Sequence, residues 1–579
     1  MANKKIVKKS PDIFSIFVCV ELIASILFTF ASVHFAADIS VAAFPLAAVY
    51  TAILVYFVFF KMLKPLNGKM VPVAVKLIEY LPYVFLLSFI LRRAGKNGTP
   101  YWLDVAGVVL WCIVFIFSLI LSNRMNDKHS AALTKDWKVA APKKKKRHGV
   151  ALVLYELVDW VNAIVQAVFM VLLIQIFVIQ LYVIPSESMV PTFLVKDRVA
   201  VTKFNCGPKF PLTDIGLPCF TKYKRGDIVV VRNPHYTIDR KSEVKTVTSQ
   251  LIYMLTFMSV NLNRDEKGEL KADPLVKRIA GVPGEQLVMQ DGVLYSRSKG
   301  DDKFKAVEKD ASYAAWNLKA KIPSGAQVYP LEPPYGPGYS KMIEFEELRR
   351  NFDLKAAELQ TLDLVKRFKK LAYKHNLVGD MNNFVPYVET LFNDIYKTTS
   401  RIMNANDGDE WFERFMTSWF EAADSKRDIY SEANFKLNVM AKIYFGNLVV
   451  RTAELIRGKV SDTQIPQDET IIYYENLSDT LRWYITILDQ RNMPVFPPND
   501  FNGNPQYIPE NCYIMMGDNR FNSFDMRHGD IPVLTSVSEE DDLSVLYYSI
   551  IEPQYVNQKL ILGKPVFRFW PRGRVGRIK

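Results

Sequence analysis

The sequence predicts a membrane protein: amino-terminal transmembrane helices, then a mainly β domain carrying a large helical insertion. Three observations carry that prediction. Apolar runs of near-spanning length crowd the first third of the chain. Past residue 184 they give way to short β-rich runs punctuated by Gly and Pro. Between about 342 and 458 apolar residues fall instead at helical spacing. Over the whole 579 residues, 49% are hydrophobic and 23% charged, ordinary values that exclude a disordered chain. Their uneven distribution excludes a wholly soluble one.

Four apolar runs lie before residue 125, at about 13–36, 42–61, 75–92 and 102–122, and a fifth at about 161–184. Each approaches the roughly 20 residues a helix needs to cross a bilayer. The first is too long for a signal-peptide core and lacks a clean small-residue cleavage site, so it reads as retained. The third contains Lys76 and Glu79, which leaves a re-entrant or interfacial helix open there. Basic residues alternate between loops. Lys4, Lys5, Lys8 and Lys9 precede the first run, and Lys61, Lys64, Lys69 and Lys76 follow the second. Arg124, Lys128, Lys135, Lys138 and the run Lys143 to Arg147 follow the fourth, whereas the other two loops are poor in them. Five crossings would then leave the amino terminus in the cytoplasm and the β domain outside.

The net charge of +13 is therefore largely topological. Beside a membrane helix the KKKKR run reads as a topology anchor or a surface for anionic lipid before a nucleic-acid patch, and no nucleic-acid partner is expected. The expected divisions are a four-helix region 1–125, a basic cytoplasmic loop 126–160 and a fifth transmembrane helix 161–184. A β catalytic domain follows in two pieces, 185–300 and 505–579, with an inserted, partly helical domain at 301–504. Trp411, Phe412, Phe415, Trp419 and Phe420 read as the core of that insertion.

Three polar segments could do chemistry. In IPSESMVPTF, Pro185 and Pro191 bracket Ser188 in an irregular backbone that can expose a hydroxyl and aim a main-chain N–H at the same spot. In isolation it reads equally as a turn where the chain leaves the membrane. In LVKRIAGVPGE, Lys277 sits between apolar residues on a strand pattern, where desolvation would favour its neutral amine; the alternative is a surface lysine beside Arg278. In YIMMGDNRFNSFDMRHGDIP, Asp518, Arg520, Asp525 and Arg527 alternate in a dense polar loop that either organises a site or carries weak surface ion pairs. The six histidines form no HExxH or other ligand spacing, and His528 reads as structural.

With GDIVVVRNP (Gly226 to Pro234), these segments in this order after a membrane helix resemble the bacterial type I signal peptidases. The resemblance covers roughly 165–300 and 505–575. It implies a signal-peptidase-like β fold and a Ser/Lys dyad that needs no metal or cofactor. Ser188 matches the family nucleophile and Lys277 its general base. Ser186 matches the serine that joins the Ser188 main-chain N–H in the oxyanion hole, and Ser523 the serine that hydrogen-bonds the lysine. Asp518 with Arg278, and Asp525 with Arg527, match two bracing pairs. The family's substrates are signal peptides of exported preproteins still in the bilayer. The implied setting is therefore the inner (plasma) membrane, with the lipid bilayer and the export translocon as partners. The fifth run ends four residues before Ser188, which would put the dyad at the outer membrane surface, and Leu251 to Leu262 is one candidate lipid contact.

Phe521, His528 and Glu187 depart from common family residues, and neither five spans nor an insertion of this size is usual there. Cys206 and Cys219 are near enough in sequence to pair or to stay free. Two other functions stay open: a membrane scaffold with a degenerate protease domain, and a Ser/Lys protease dedicated to one substrate.

Overall fold

A computed structural model describes residues 12–34, 38–95, 99–142, 149–236, 240–256, 259–260, 262, 273–316, 337–373 and 379–578. The run Lys143 to Arg147 and the first four lysines lie outside them. Five helices are long and apolar enough to cross a membrane: α1 (Ile13–Ala31), α2 (Ile39–Leu63), α3 (Val71–Arg93), α4 (Tyr101–Met125) and α5 (Val150–Phe177). The third run, doubtful because of Lys76 and Glu79, is a continuous helix in which those two residues pair at 2.9 Å. Helices α1 to α4 share one apolar core, in which Phe28 stacks on Phe85. Two polar contacts lie inside this bundle: Ser118 donates to Glu21, and Arg92 pairs with Asp104 at 2.8 Å.

The fifth helix corrects the expected 161–184. It begins at Val150, inside the stretch expected to be loop, and stops at Phe177. Residues Ile179–Val183 are instead strand β1, paired antiparallel with β2 (Arg198–Thr202). Hydropathy could not separate them because IQLYV is as apolar as the helix before it. Its β-branched and aromatic residues suit a pleated surface, and pairing with β2 decides the matter. Only 6% of the apolar window of α5 is buried inside the molecule, so most of its apolar surface is left uncovered by the rest of the chain. It is tied to α3 by polar contacts, Tyr80 to Asn162 at 2.5 Å and Gln166 to Glu79 at 2.9 Å.

Further strands complete the β domain: β3 (Ile228–Val231), β4 (Leu275–Gly281), β5 (Glu285–Gln290), β6 (Val293–Ser298), β7 (Lys305–Ala306) and β8 (Met493–Phe496). After the insertion come β9 (Cys512–Met516), β10 (His528–Ser536), β11 (Leu546–Ile551), β12 (Val556–Asn557), β13 (Ile561–Trp570) and β14 (Gly576–Arg577). The main sheet runs β1-β2-β13-β3-β4-β9-β12, with β14 on β13. Its central strands are buried on both faces. Along β3, Val229 and Val231 join one core with Ile279 and Met515, while Ile228 and Val230 join another with Met189 and Phe193. That two-sided burial is why GDIVVV and YIMM read as unbroken apolar runs rather than alternating ones.

A second sheet, β7-β6-β5-β8, carries the insertion. The insertion's helices pack around a long buried helix, α6 (Ile429–Arg457). Trp411, Phe412, Phe415 and Trp419 are buried in that core with Phe420 against it, as expected. Two boundaries differ from the sequence reading. Helix continues to Arg491, well past residue 458, where the helical spacing read from the sequence ends. The hairpin β10–β11 leaves the catalytic sheet and buries Val537, Val545 and Tyr547 in the helical core. Leu251 to Leu262 opens as the end of a helix (Arg240–Leu255); Ile252, Tyr253 and Thr256 are half-buried there, and the tail exposes Val260 and Leu262.

Candidate active site

Residues 184–197 close the β1–β2 hairpin as an irregular loop. Its ends are pinned by Ile184 N–H to the Asp197 carbonyl at 2.9 Å and by Lys196 N–H to the Ile184 carbonyl at 2.8 Å. Met189 and Val190 are buried beneath it, and Asp197 is held by Arg568 of β13 and Arg574 just after it. This anchoring presents Ser188 half-buried and Ser186 exposed, their hydroxyl oxygens 3.4 Å apart.

Lys277 lies on β4, opposite Val229 of β3, and is only 2% exposed. Leu275 and Ile279, two positions either side, belong with one core, and the pleat turns Lys277 to that same face. Its ammonium donates to Ser523 Oγ at 3.1 Å. Burial pulls its pKa from the usual 10.5 down to about 8, against the opposing pull of the Asp525 carboxylate. Ser523 passes the chain on: its hydroxyl donates to Asp525 Oδ2 at 2.7 Å. Although burial alone would raise the Asp525 carboxyl, Arg527 beside it holds it well below the usual carboxylate range. Arg527 grips both oxygens, at 2.8 and 3.1 Å, and the Gly517 N–H adds a third bond at 2.8 Å. The acceptor of the Ser523 proton is therefore fixed, and its lone pairs are left facing the lysine.

Gly517 brings the halves of the site together. A Cβ there would fall 2.1 Å from Ser523 Oγ and 2.4 Å from the Ser188 carbonyl oxygen. The serine loop and the lysine's partner thus approach across a single glycine. Among the described residues no hydrogen bond joins Lys277 directly to Ser188; both border the Ser523–Gly517 corner.

Asp518 and Arg278 form a buried bidentate pair, Nε to Oδ1 at 2.8 Å and Nη2 to Oδ2 at 2.7 Å. Arg278 also donates to the Gly226 carbonyl and stacks its guanidinium 4.3 Å over the Tyr313 ring. This pair braces the strand next to the lysine and, through Thr192, the loop that carries Ser188. His528 is 2% exposed; burial lowers its pKa to about 4, so it is neutral near pH 7, consistent with a structural role.

Three residues were missed by reading the sequence. Asn519, fully buried, donates its main-chain N–H to the Ser188 carbonyl at 3.1 Å and its side-chain amide to the Glu187 carbonyl at 3.2 Å. Asn522 holds the Glu187 carboxylate at 3.2 Å. Thr192 donates to Asp518 at 2.5 Å and accepts from Arg278 at 3.2 Å. Asn519 had a signal: an Asp-Asn pair within a turn-rich loop offers side-chain bonding to nearby backbone. Thr192 had none beyond proximity to Ser188. Cys206 and Cys219 face each other across an antiparallel bridge, and both are free thiols.

Residues 157–328 match a family described as signal peptidase, peptidase S26. That match includes Ser188 and Lys277 and ends before the loop bearing Ser523. Signal peptidase I P of Bacillus subtilis subsp. natto is 26% identical over 164 residues, 28% of this chain and 63% of that protein. Signal peptidase I of Pseudomonas aeruginosa is 29% identical over 139 residues, 23% of this chain and 46% of that protein. Signal peptidase I of Buchnera aphidicola subsp. Schizaphis graminum is 41% identical over 71 residues, 12% of this chain and 23% of that protein. The chain thus spans between about a quarter and under two thirds of the length of these relatives.

Proposed function

We propose, from the match of residues 157–328 to the signal peptidase, peptidase S26 family and from the signal peptidase I relatives, that this chain is a membrane-bound serine endopeptidase that removes amino-terminal signal peptides from exported preproteins. Ser188 is the nucleophile and Lys277 the general base. The observation that carries this reading is the state of Lys277: a buried amine whose proton is held weakly, oriented by Ser523 against a fixed carboxylate.

Neutral Lys277 donates one N–H to Ser523 and keeps its lone pair for the Ser188 proton. As that proton leaves, the Ser188 oxygen attacks the scissile carbonyl and an acyl-enzyme forms. The mature chain departs with a proton from Lys277, which then activates water for deacylation. The direct Lys277–Ser188 contact closes with substrate, since catalytic hydrogen bonds in unliganded enzymes are commonly long. The oxyanion is held by the Ser186 hydroxyl and the Ser188 N–H, which has no acceptor among the described residues. Each such donor is worth about 3–4 kcal/mol in other proteases. Asp525 with Arg527 fixes the lysine's partner, and Asp518 with Arg278 supports the strand; neither pair takes part in proton transfer.

The distribution of basic residues supports an amino terminus in the cytoplasm and a β domain outside. Strand β1 starts two residues after α5 ends, which keeps the β domain against the outer membrane face. Its substrate is then a signal peptide still lodged in the bilayer, delivered from the translocon. The divisions we propose are a bundle at 12–125, α5 at 150–177, the β catalytic pieces, and an insertion between β7 and β8. Purified full-length protein should cleave a preprotein at its signal-peptide junction, with Ser188→Ala and Lys277→Ala each inactive; unchanged cleavage by either variant removes the dyad. Cleavage of one precursor only, from a panel of unrelated ones, would make it a dedicated protease instead.

A further inference from the structure

Away from the serine loop, a cavity of about 430 Å³ opens where the membrane bundle meets the β domain. One wall is the ends of two spanning helices, Ile90 and Arg93 of α3 and Ile176 of α5. Another is the β domain, through Gln180, Tyr182, Lys203 and Arg232. A third is a hairpin stretch, Gly207 to Asp214, that reaches into the bundle. Its Phe210 ring lies 4.9 Å from Phe177, 5.4 Å from Trp111 and 6.1 Å from Phe89, and Leu212 accepts from Arg93 at 2.7 Å. The cavity is therefore a fixed seam at the end of the membrane helices.

Its lining carries five cations, Arg93, Lys203, Lys209, Arg232 and Lys559, against three carboxylates, Asp214, Glu243 and Asp273. The carboxylates are engaged. Asp214 pairs with Lys209 at 2.9 Å, Glu243 with Arg232 at 3.4 Å, and Asp273 accepts the Asn233 N–H at 3.0 Å. Arg93, Lys209 and Arg232 pair with carboxylates, whereas Lys203 and the exposed Lys559 pair with none among the described residues. The Lys203 ammonium meets the neutral Gln180 amide oxygen at 3.0 Å, and burial, then the neighbouring Arg232, lower its pKa to about 8. A buried ammonium opposite a guanidinium is costly unless an anion joins them. The apolar residues Ile90, Ile176 and Leu562 line the same cavity, so its occupant has an anionic head and an apolar continuation. The volume suits a headgroup and glycerol rather than a whole lipid.

We propose that this seam binds the phosphate group of an anionic phospholipid, with Lys203 and Arg232 as its principal ligands and the acyl chains running out along α3 and α5. The proposal rests on the membrane placement of those helices and is independent of the dyad.

Full-length protein would be delipidated in detergent and returned to phosphatidylcholine nanodiscs containing a minority of phosphatidylglycerol, then read by native mass spectrometry. The wild type should retain a phosphatidylglycerol molecule through mild activation. Lys203→Gln should lower its occupancy by about tenfold or more, and Lys203→Arg should restore it. Should Lys203→Gln fail to fold, as judged by its thermal midpoint and its elution as a single species in detergent, Lys559→Gln at the same cavity should show a smaller loss in the same direction. Equal retention by wild type, Lys203→Gln and Lys559→Gln would overturn the proposal. So would equal retention of phosphatidylcholine, or displacement of the lipid by millimolar inorganic phosphate, which would make the site one for a free anion.

Discussion

Replacing Lys277 by methionine should abolish cleavage and, at neutral pH, make the protein more stable. Lys277 is fully buried and its pKa falls from 10.5 to about 8. Above 10.5 the lysine is neutral in both folded and unfolded chains and contributes no penalty. As the pH drops from 10.5 towards 8 the unfolded chain takes up a proton that the folded chain refuses, so stability falls with decreasing pH. At about 1.4 kcal/mol per pKa unit the penalty reaches roughly 3 kcal/mol and stays constant below pH 8. Methionine has a similar length and carries no charge. It forfeits the hydrogen bond to Ser523, a loss of about 1 kcal/mol, leaving a net gain of about 2 kcal/mol at pH 7. For a domain of 150–250 residues that is roughly 4–8 °C in thermal midpoint. Melting of wild type and Lys277→Met in detergent, at pH 7 and again near pH 10, tests this. The difference should shrink or reverse at the higher pH. A variant less stable than wild type at pH 7, or a pH-independent gap, would refute the account of a weakly protonated buried amine.

Three further outcomes follow from the same geometry. The wild-type kcat/KM should rise with pH through a single limb near pH 8 as Lys277 loses its proton; a profile flat from pH 6 to 9 would contradict a lysine base. Gly517→Ala should lower kcat by about a hundredfold or more, because the new Cβ would sit 2.1 Å from Ser523 Oγ and 2.4 Å from the Ser188 carbonyl; near-normal kcat in a folded variant would show that the corner is not tight. Asp518→Asn leaves the Arg278 guanidinium buried without its countercharge, so the fold should lose about 3–5 kcal/mol, seen as a lower thermal midpoint, while the pH limb of the remaining activity stays in place.

Much of this architecture was visible before any coordinates, for identifiable reasons. Spanning helices and doubly buried strands write themselves as composition, so the bundle and the GDIVVV and YIMM strands were readable. The aromatic cluster around Trp411 to Phe420 followed its helical spacing into a core. Boundaries were lost where apolar character continues through a change of structure. IQLYV extends the α5 run without a break, and only its partner strand makes it β. Residues 465–491 stay helical because they pack on α6, a tertiary fact. At the candidate site, Ser188 and Lys277 stood out as candidates in their own segments, while Ser186 and Ser523 entered only with the family resemblance. Asn519 had a faint turn signal, but Thr192 acts through side chains brought near only by folding, so no local pattern marked it. The charged cavity beside Phe210 draws on seven separate stretches of chain and leaves no local signature at all.

The position of β13 also governs timing. This strand, residues 561–570, is inserted between β2 and β3, and the loop that orients Lys277 arrives only after some two hundred residues of insertion. During biosynthesis Ser188 and Lys277 emerge early, yet the sheet that holds both stays split until its keystone has been delivered. Pairings so distant along the chain form slowly. A partly synthesised copy therefore carries these two side chains without the sheet that sets them in place.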